Sequence, residues 1–289
     1  MLKIGRILLP IDFQESSKPV VHQAAALARH FHSEIVMLHV VTPLSYAAGM
    51  IEGDYVPANL DDLLKELLRQ AQKQLDKALG RELDGLAVRR MLVEGDPALT
   101  IVQTARAVNA DLIAMPTHGF GAFRRFLLGS VTAKVLHDSE CPVWTGAHLE
   151  EEPAGEFSIR SILCAVDLSA HSVKTLQWAA QMAAEYGARL TLAHVTAGME
   201  IYGPGAYQVD PSWTEALVKS TSEQFAKLKQ EVGTQAETFI GSGDVPKLLC
   251  EAAKEVRADV LIIGRPSGGR LHAAGYGIIR ESHIPVLSV

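Results

Sequence analysis

The sequence is poor in the features that mark several common classes of protein. It has three cysteines in 289 residues and no C-x-x-C pair, which excludes a disulfide framework and favours a reducing compartment. Its 27 basic residues are outnumbered by 33 acidic ones and form no long run, so we expect no nucleic-acid partner. No apolar run reaches the roughly 20 residues that cross a bilayer, and no export signal is visible. We therefore expect a cytoplasmic protein without a membrane partner.

Motifs of common nucleotide-dependent and hydrolytic enzymes are missing as well. The sequence contains no G-x-x-x-x-G-K-[ST] phosphate loop, no G-x-G-x-x-G after its first apolar run and no G-x-S-x-G motif with its acid and histidine. No metal site with recognisable ligand spacing occurs. Cys141, Cys164 and Cys250 stand in apolar or helical surroundings and are predicted to fill the core.

What the sequence does contain is an internal duplication. The stretch RILLPIDFQESS, which begins at Arg6, matches SILCAVDLSAHS, which begins at Ser161, and the offset of 155 also relates His39 to His194. The offset falls to 148 at Asp111 and Asp259, and to 143 at Pro142 and Pro285. The second copy has therefore lost residues twice, and the second loss falls between its fourth and fifth apolar runs. Between the copies lies GAHLEEEPAGEF, whose acidic, proline and glycine residues suit a linker.

The length and the repeat predict two domains with one architecture. We place a first domain at residues 1–147, a linker at 148–158 and a second domain at 159–289. Short apolar runs alternate with helical patterns in each copy, and this alternation predicts an α/β fold. We expect two tandem doubly wound domains, each a Rossmann-like parallel sheet of five strands in the order 3-2-1-4-5, flanked by helices. Ligands of such sheets bind beyond the carboxyl ends of the strands.

The loop after the fourth strand of the first copy, MPTHGFGAFRRFLLGS, lies at such an end. Gly119, Gly129 and Ser130 could supply close backbone approach, amides and a hydroxyl to a phosphate, with the positive end of a helix behind them. Arg124 and Arg125 could add positive charge. Alternatively, the glycines only form a turn, the side chain of Ser130 caps the helix and the arginines are solvated.

Polar residues at the ends of two other strands also have two interpretations. Asp12 and Asp167 follow the first strands, where a carboxylate either caps the next helix or accepts hydrogen bonds from a ribose or a base amine. His39 and His194 lie within the second strands, where histidine is more often a satisfied core residue than a metal ligand.

The repeat and the glycine loop together resemble the universal stress protein family in its tandem form, over residues 4–146 and 159–289. The resemblance implies that ATP binds to the first copy. It assigns the adenosine contacts to Asp12 and Val40, and the phosphate contacts to Gly119, Gly129 and Ser130. The first glycine of the family's G-x-x-G motif falls on Pro116, which has no N–H to offer.

The second copy departs further from the family pattern. Asp167 and Val195 remain for an adenosine-like group, and Gly264 matches the first motif glycine. Ser267 replaces the second glycine, and His272 with Ala273 replaces the Gly-Ser pair. We therefore expect a degenerate second site, which is either a vestige or a pocket for a different ligand.

These features favour a nucleotide-responsive binding protein of the stress response over an enzyme. The expected ligand is ATP, with or without Mg²⁺, and any hydrolysis should be slow. The alternative is an interaction or structural protein that binds a different small molecule or a protein partner. The resemblance also implies an intramolecular pseudo-dimer through the fifth strands, and it leaves a further homodimer open.

Overall fold

The computed structural model describes residues 2–14, 17–42, 60–117, 128–146, 157–197, 211–265 and 271–289. The chain divides into two compact units, the first containing residues 3–146 and the second residues 158–289. The predicted linker lies almost wholly outside the described residues. The predicted domain boundaries stay a prediction.

The first unit alternates strands and helices from its beginning. Its elements are β1 (Arg6–Pro10), α1 (Lys18–Phe31), β2 (Glu34–Val41), α2 (Leu60–Lys77), β3 (Val88–Glu94), α3 (Pro97–Ala107), β4 (Leu112–Met115), α4 (Ser130–Asp138) and β5 (Val143–Thr145). The strands are parallel and lie in the order β3-β2-β1-β4-β5.

The second unit repeats this plan. Its elements are β6 (Ser161–Ala165), α5 (Ser172–Tyr186), β7 (Arg189–Ala197), α6 (Pro211–Val232), β8 (Glu237–Gly243), α7 (Val245–Glu255), β9 (Val260–Ile263), α8 (Ala273–Glu281) and β10 (Val286–Ser288). The strands are again parallel, in the order β10-β9-β6-β7-β8. The predicted strand order 3-2-1-4-5 is therefore confirmed in both units.

One aspartate that recurs in both copies stabilises the sheet and does not belong to the candidate site. Asp111 Oδ2 accepts hydrogen bonds from the amides of Gly5 and Arg6 at 2.8 and 2.9 Å, and so joins the amino-terminal ends of β1 and β4. Its counterpart, Asp259, accepts from the amides of Arg160 and Ser161 at 2.7 and 2.9 Å. These two aspartates lie at the opposite end of each sheet from the carboxyl ends of the strands.

The sheet cores are almost fully apolar, as parallel sheets require. Every residue of β4 and β9 is buried. Trp144 on β5 is fully buried, and its indole Nε1 donates to Gln23 Oε1 at 2.8 Å. Cys164 and Cys250 are buried free thiols, whereas Cys141 is half-buried.

Helix α2 carries leucines at helical spacing, which predicts one buried face, but part of that face is exposed. Leu75 is fully buried, but Leu63 and Leu67 are 46% and 39% exposed. The helix itself is confirmed, so the apolar spacing identified the element correctly and overestimated how much of it is covered by described residues.

Candidate functional site

A cavity of about 390 Å³ lies in the first unit at the carboxyl ends of β1, β2 and β4. We call it the first cavity; its lining residues are Pro10, Ile11, Asp12, Leu38, His39, Val40, Pro97, Ile101, Met115, Pro116, Gly129, Ser130, Val131 and Thr132. It brings together five of the sequence-predicted site residues: Asp12, Val40, Pro116, Gly129 and Ser130. Parallel strands end at one edge of their sheet, which is why residues so far apart in sequence meet there.

Asp12 is held in place by the turn that leads into α1. Its Oδ1 accepts from the amide of Gln14 at 3.1 Å and from the hydroxyl of Ser17 at 2.9 Å. The N-cap residue of α1 is Ser17, so Asp12 does not cap the helix. Its second oxygen, Oδ2, forms no hydrogen bond with another described residue and can accept one from a ligand.

The residue after Asp12 has an unusual backbone conformation in both units. Phe13 and its counterpart Leu168 both lie in the left-handed region, with φ of 60° and 61°. Bulky side chains rarely adopt this conformation, and such strain tends to persist where a turn places a functional group. The ring of Phe13 packs on that of His39, with centroids 4.3 Å apart.

His39 forms a hydrogen bond with the backbone. Its Nδ1 is 2.8 Å from the carbonyl oxygen of Ile11, which can only accept, so Nδ1 carries the proton. His194 makes the same contact with Val166, also at 2.8 Å. In both units this hydrogen bond joins the end of the first strand to the second.

The start of α4 supplies the polar end of the first cavity. The N-cap residue is Gly129, so Ser130 is the first residue of the helix, and no side chain caps this helix start. The alternative that Ser130 caps the helix is therefore wrong. The amide of Gly129 donates to Thr117 O at 2.8 Å and is already used inside the protein. The next three amides, of residues 130–132, have no partner within the helix and donate to no other described residue. An uncapped helix start that lines a cavity favours an anion there.

A second cavity, of about 430 Å³, occupies the same place in the second unit. Its lining residues are Ala165, Val166, Asp167, Ser169, His171, Ser172, Thr175, Ala193, His194, Val195, Thr196, Val245, Leu249, Ile263, Gly264, Arg265, Leu271, His272, Ala274, Gly275 and Ile278. The three residues predicted for the degenerate site, Asp167, Val195 and Gly264, are all among them.

Asp167 repeats the geometry of Asp12. Its Oδ1 accepts from the amide of Ser169 at 2.9 Å and the hydroxyl of Ser172 at 3.1 Å. Burial alone would raise the pKa of Asp167, but the hydrogen bonds from Ser169 and Ser172 outweigh it and lower that pKa below its ordinary value. Asp167 is therefore a carboxylate at neutral pH.

A family model described as "Universal stress protein family" matches residues 3–145 and again residues 158–289. The chain belongs to the universal stress protein family. The resemblance noted from the sequence, including its tandem form, is confirmed.

Individual universal stress proteins match one copy or both. Universal stress protein MJ0531 of Methanocaldococcus jannaschii is 33% identical over 138 residues, which cover 48% of this chain and 79% of that protein. Universal stress protein YxiE of Bacillus subtilis is 28% identical over 145 residues, or 48% of this chain and 96% of that protein. A crystal structure of a universal stress protein from Archaeoglobus fulgidus has a TM-score of 0.71 and 23% identity, covering 99% of this chain and 98% of its own. At that identity the likeness shows the fold alone.

Parts of the predicted universal stress protein site fall outside the described residues. These parts are Gly119, Arg124 and Arg125 of the first copy and Ser267 of the second. Their proposed contacts with phosphate therefore stay predictions.

Gly264 has a packing reason to be glycine that is independent of any ligand. A Cβ on Gly264 would lie 2.4 Å from Thr175 Oγ1, closer than real atoms approach. Thr175 Oγ1 in turn donates to His171 O at 3.2 Å. The match of Gly264 to the first motif glycine is thus no evidence by itself for a phosphate contact.

Sequence reasoning missed several residues of the universal stress protein cavities. Thr132 lines the first cavity and anchors the loop, because its hydroxyl donates to Pro116 O at 2.9 Å. Arg265 and His171 line the second cavity. The shared offset of 148 after the third strand places Arg265 opposite Thr117, and that register was the signal that could have identified it.

Two classes of site are not found in the described part of this chain. Its His, Cys, Asp and Glu side chains form no group of three or more that could hold a metal ion. None of its helices, as far as they are described, is long and apolar enough to cross a membrane.

Proposed function

We propose that this universal stress protein binds ATP in the first cavity and that occupancy of this cavity is its signal. One observation carries the proposal. Asp12, Val40, Pro116 and the Gly129-Ser130 pair come from four separate segments of the chain and line one cavity, together with an uncapped helix start. The volume of about 390 Å³ lies in the range of cavities that take small molecules.

The nucleoside would lie at the end of the cavity formed by β1 and β2. Oδ2 of Asp12 can accept hydrogen bonds from ribose hydroxyls or from the amino group of adenine. Val40 and Ile101 add apolar wall, and Ile101 is 3% exposed. A small number of polar groups in a mostly apolar cavity is typical of nucleoside-sized ligands.

The phosphates would lie at the start of α4. The three amides of residues 130–132 point to an anion because the helix dipole adds positive potential where they are unbonded. Since the amide of Gly129 donates to Thr117, we assign Gly129 the role of leaving room for the phosphate. Contacts from Gly119, Arg124 and Arg125 are part of the proposal.

Binding fits the first cavity better than turnover does. Asp12 is the one carboxylate among the described residues that line it, and its Oδ1 is already engaged by the turn. A pair of carboxylates that could hold Mg²⁺ is therefore not present among those residues, and Mg²⁺ would arrive with the phosphates. A homodimer or a protein partner that reads the occupied state stays a prediction.

The proposal is tested by replacing Asp12 with asparagine. Asp12→Asn keeps an Oδ1 acceptor for Gln14 and Ser17 but turns the other oxygen into a donor. We expect the affinity of the full chain for ATP, measured by isothermal titration calorimetry, to fall about ten- to hundredfold, because a hydrogen bond to a charged group is lost.

Asp167→Asn is the matched control, since it makes the same change in the second unit. It should leave the ATP affinity of the first cavity unchanged. An Asp12→Asn chain that binds ATP as tightly as the original chain would refute the assignment. Absence of ATP binding by the original chain at millimolar concentration would refute the function and favour the alternative of an interaction protein.

A further inference from the structure

The two cavities differ most in the charge of their walls. Among the described residues that line the first cavity, Asp12 is the only one with a permanent charge. The second cavity has the equivalent Asp167 and adds Arg265, together with two imidazoles, His171 and His272, that the first cavity lacks. The loss of the glycine pattern is therefore accompanied by the gain of one cationic side chain, Arg265, and of two imidazoles.

Arg265 lies in the wall of the second cavity, where a backbone hydrogen bond holds it and its side chain is buried. It follows Gly264 at the end of β9, and its amide donates to Val289 O at 2.7 Å. The residue is 7% exposed and lines the second cavity. Its counterpart Thr117 is also buried, at 3% exposure, but is not among the residues that line the first cavity. A guanidinium keeps its charge when it is buried, and its planar donors match a phosphate in pairs.

The start of α8 provides a second source of positive potential in the same cavity. His272 is the N-cap residue, has extended backbone and makes no side-chain cap. Ala274 and Gly275, in the first turn, line the cavity. Gly275 also lets the helix start lie close to the preceding segment, because a Cβ there would be 2.6 Å from Leu271 Cγ.

The nucleoside end of the second cavity is unchanged. Asp167, His194 and Val195 repeat the arrangement of Asp12, His39 and Val40, down to the 2.8 Å contact of each histidine with the first strand. The phosphate end is shorter, because nine residues separate β9 from α8 where fourteen separate β4 from α4. The segment that would wrap a chain of phosphates is thus reduced, while a single buried cation is gained.

We propose that the second cavity binds a phosphate monoester with an organic body of nucleoside size, that Arg265 and the start of α8 hold its single phosphate, and that it discriminates against triphosphates. A phosphate monoester carries about −1.5 to −2 charges at neutral pH. The paired donors of the guanidinium and the positive potential of a helix start suit one phosphate group, whereas the shorter segment before α8 leaves less chain to enclose a triphosphate. The inference rests on the proposed function only for the assignment of Asp167 and its neighbours to a nucleoside.

The test uses the full chain carrying Asp12→Asn, so that the first cavity is weakened, and adenosine 5′-monophosphate as the probe. Arg265→Thr installs the residue that the first unit already buries at the same place, which favours folding. We expect it to lower the affinity for the monophosphate about ten- to hundredfold and to leave the weaker affinity for adenosine unchanged. Arg265→Lys, which keeps the charge without the paired donors, should have an intermediate effect.

Arg280→Gln is the control for loss of a positive charge in the same unit. Its side chain is 49% exposed and pairs with Glu281, so the affinity for the monophosphate should not change. An Arg265→Thr chain that unfolds like the original and binds the monophosphate equally well would overturn the inference. It would also be overturned if Arg265→Thr weakened ATP and the monophosphate to the same extent.

Failure of this inference and of the proposed function are separable. Loss of monophosphate binding on Arg265→Thr, in a chain whose first cavity never binds ATP, would support the second site and refute the first. Loss of ATP binding on Asp12→Asn, with no effect of Arg265→Thr on the monophosphate, would do the reverse.

Discussion

Thr191, in the middle of the second unit's sheet, holds a buried hydroxyl that its surroundings do not satisfy. The residue is 2% exposed, and its Oγ1 has no hydrogen-bond partner among the described residues. The duplication supplies the comparison, because the equivalent residue of the first unit is Val36, fully buried between Leu8 and Arg89. Thr191 lies between Leu163 and Glu237 in the same register. The first unit therefore shows that valine fits this place in the sheet.

Thr191→Val is expected to stabilise the second unit. A buried polar group left without a partner costs about 1–3 kcal/mol, and valine has almost the shape of threonine. Relaxation of the folded protein around Thr191 reduces the cost of burying its hydroxyl. We therefore expect Thr191→Val to raise the free energy of unfolding by about 1 kcal/mol. For a unit of 132 residues this corresponds to a rise of about 3–5 °C in its unfolding temperature.

Two further variants test whether the unsatisfied hydroxyl is the cause. Val36→Thr puts the same hydroxyl into the first unit and should destabilise that unit by about 1–3 kcal/mol. Thr191→Ser keeps the unsatisfied hydroxyl and removes the methyl group, so it should lose about 1 kcal/mol through the cavity that it leaves.

Hydrogen exchange at increasing urea concentration, read by mass spectrometry, assigns each change in stability to peptides of one unit. The expected result is slower exchange in the second unit for Thr191→Val and faster exchange in the first for Val36→Thr. If Thr191→Val lowers the stability of the second unit or leaves it unchanged, the hydroxyl is satisfied in solution and the reasoning is wrong.

Two further predictions concern packing and capping. Gly264→Ala should destabilise the second unit by about 1–3 kcal/mol through overpacking against Thr175, and the added change Thr175→Ala should restore most of that stability. Thermal unfolding of the single and double variants checks this, and a double variant that is as unstable as Gly264→Ala would contradict it. Asp96 accepts from the amide of Leu99 at 2.8 Å as the N-cap of α3, and this hydrogen bond lowers the pKa of Asp96 below its ordinary value. Because the folded-state pKa is lowered, the stabilisation is present above pH 4 and is lost as the pH falls through that pKa. Asp96→Ala should therefore cost about 1 kcal/mol near neutral pH and progressively less as the pH falls through the lowered pKa. Urea titrations over a descending pH series would show this, and a loss that stays the same throughout acid titration of the carboxylate would refute the charged cap.

The fold could be predicted because its signals are local and repeated. Short apolar runs that alternate with helical spacing indicate a parallel sheet, and a duplication indicates the sheet twice. The place of the cavities followed as well, since the ends of parallel strands converge. The leucine stripe of α2 shows the limit of such patterns, because spacing reports a helix face but not what covers it. Leu63 and Leu67 are exposed for that reason.

The sequence by itself determined the two α/β units, their strand order and the strand ends at which Asp12 and Asp167 lie. Only the tertiary structure decided what each residue does there. It showed that the Gly129 amide donates to Thr117, that Thr175 leaves no room for a Cβ at Gly264 and that Arg265 lines the second cavity. The physical reason is that periodicity records which side of an element is buried. Hydrogen-bond partners and close contacts depend on distances between segments far apart in the chain, and these distances are set only when helices and strands pack.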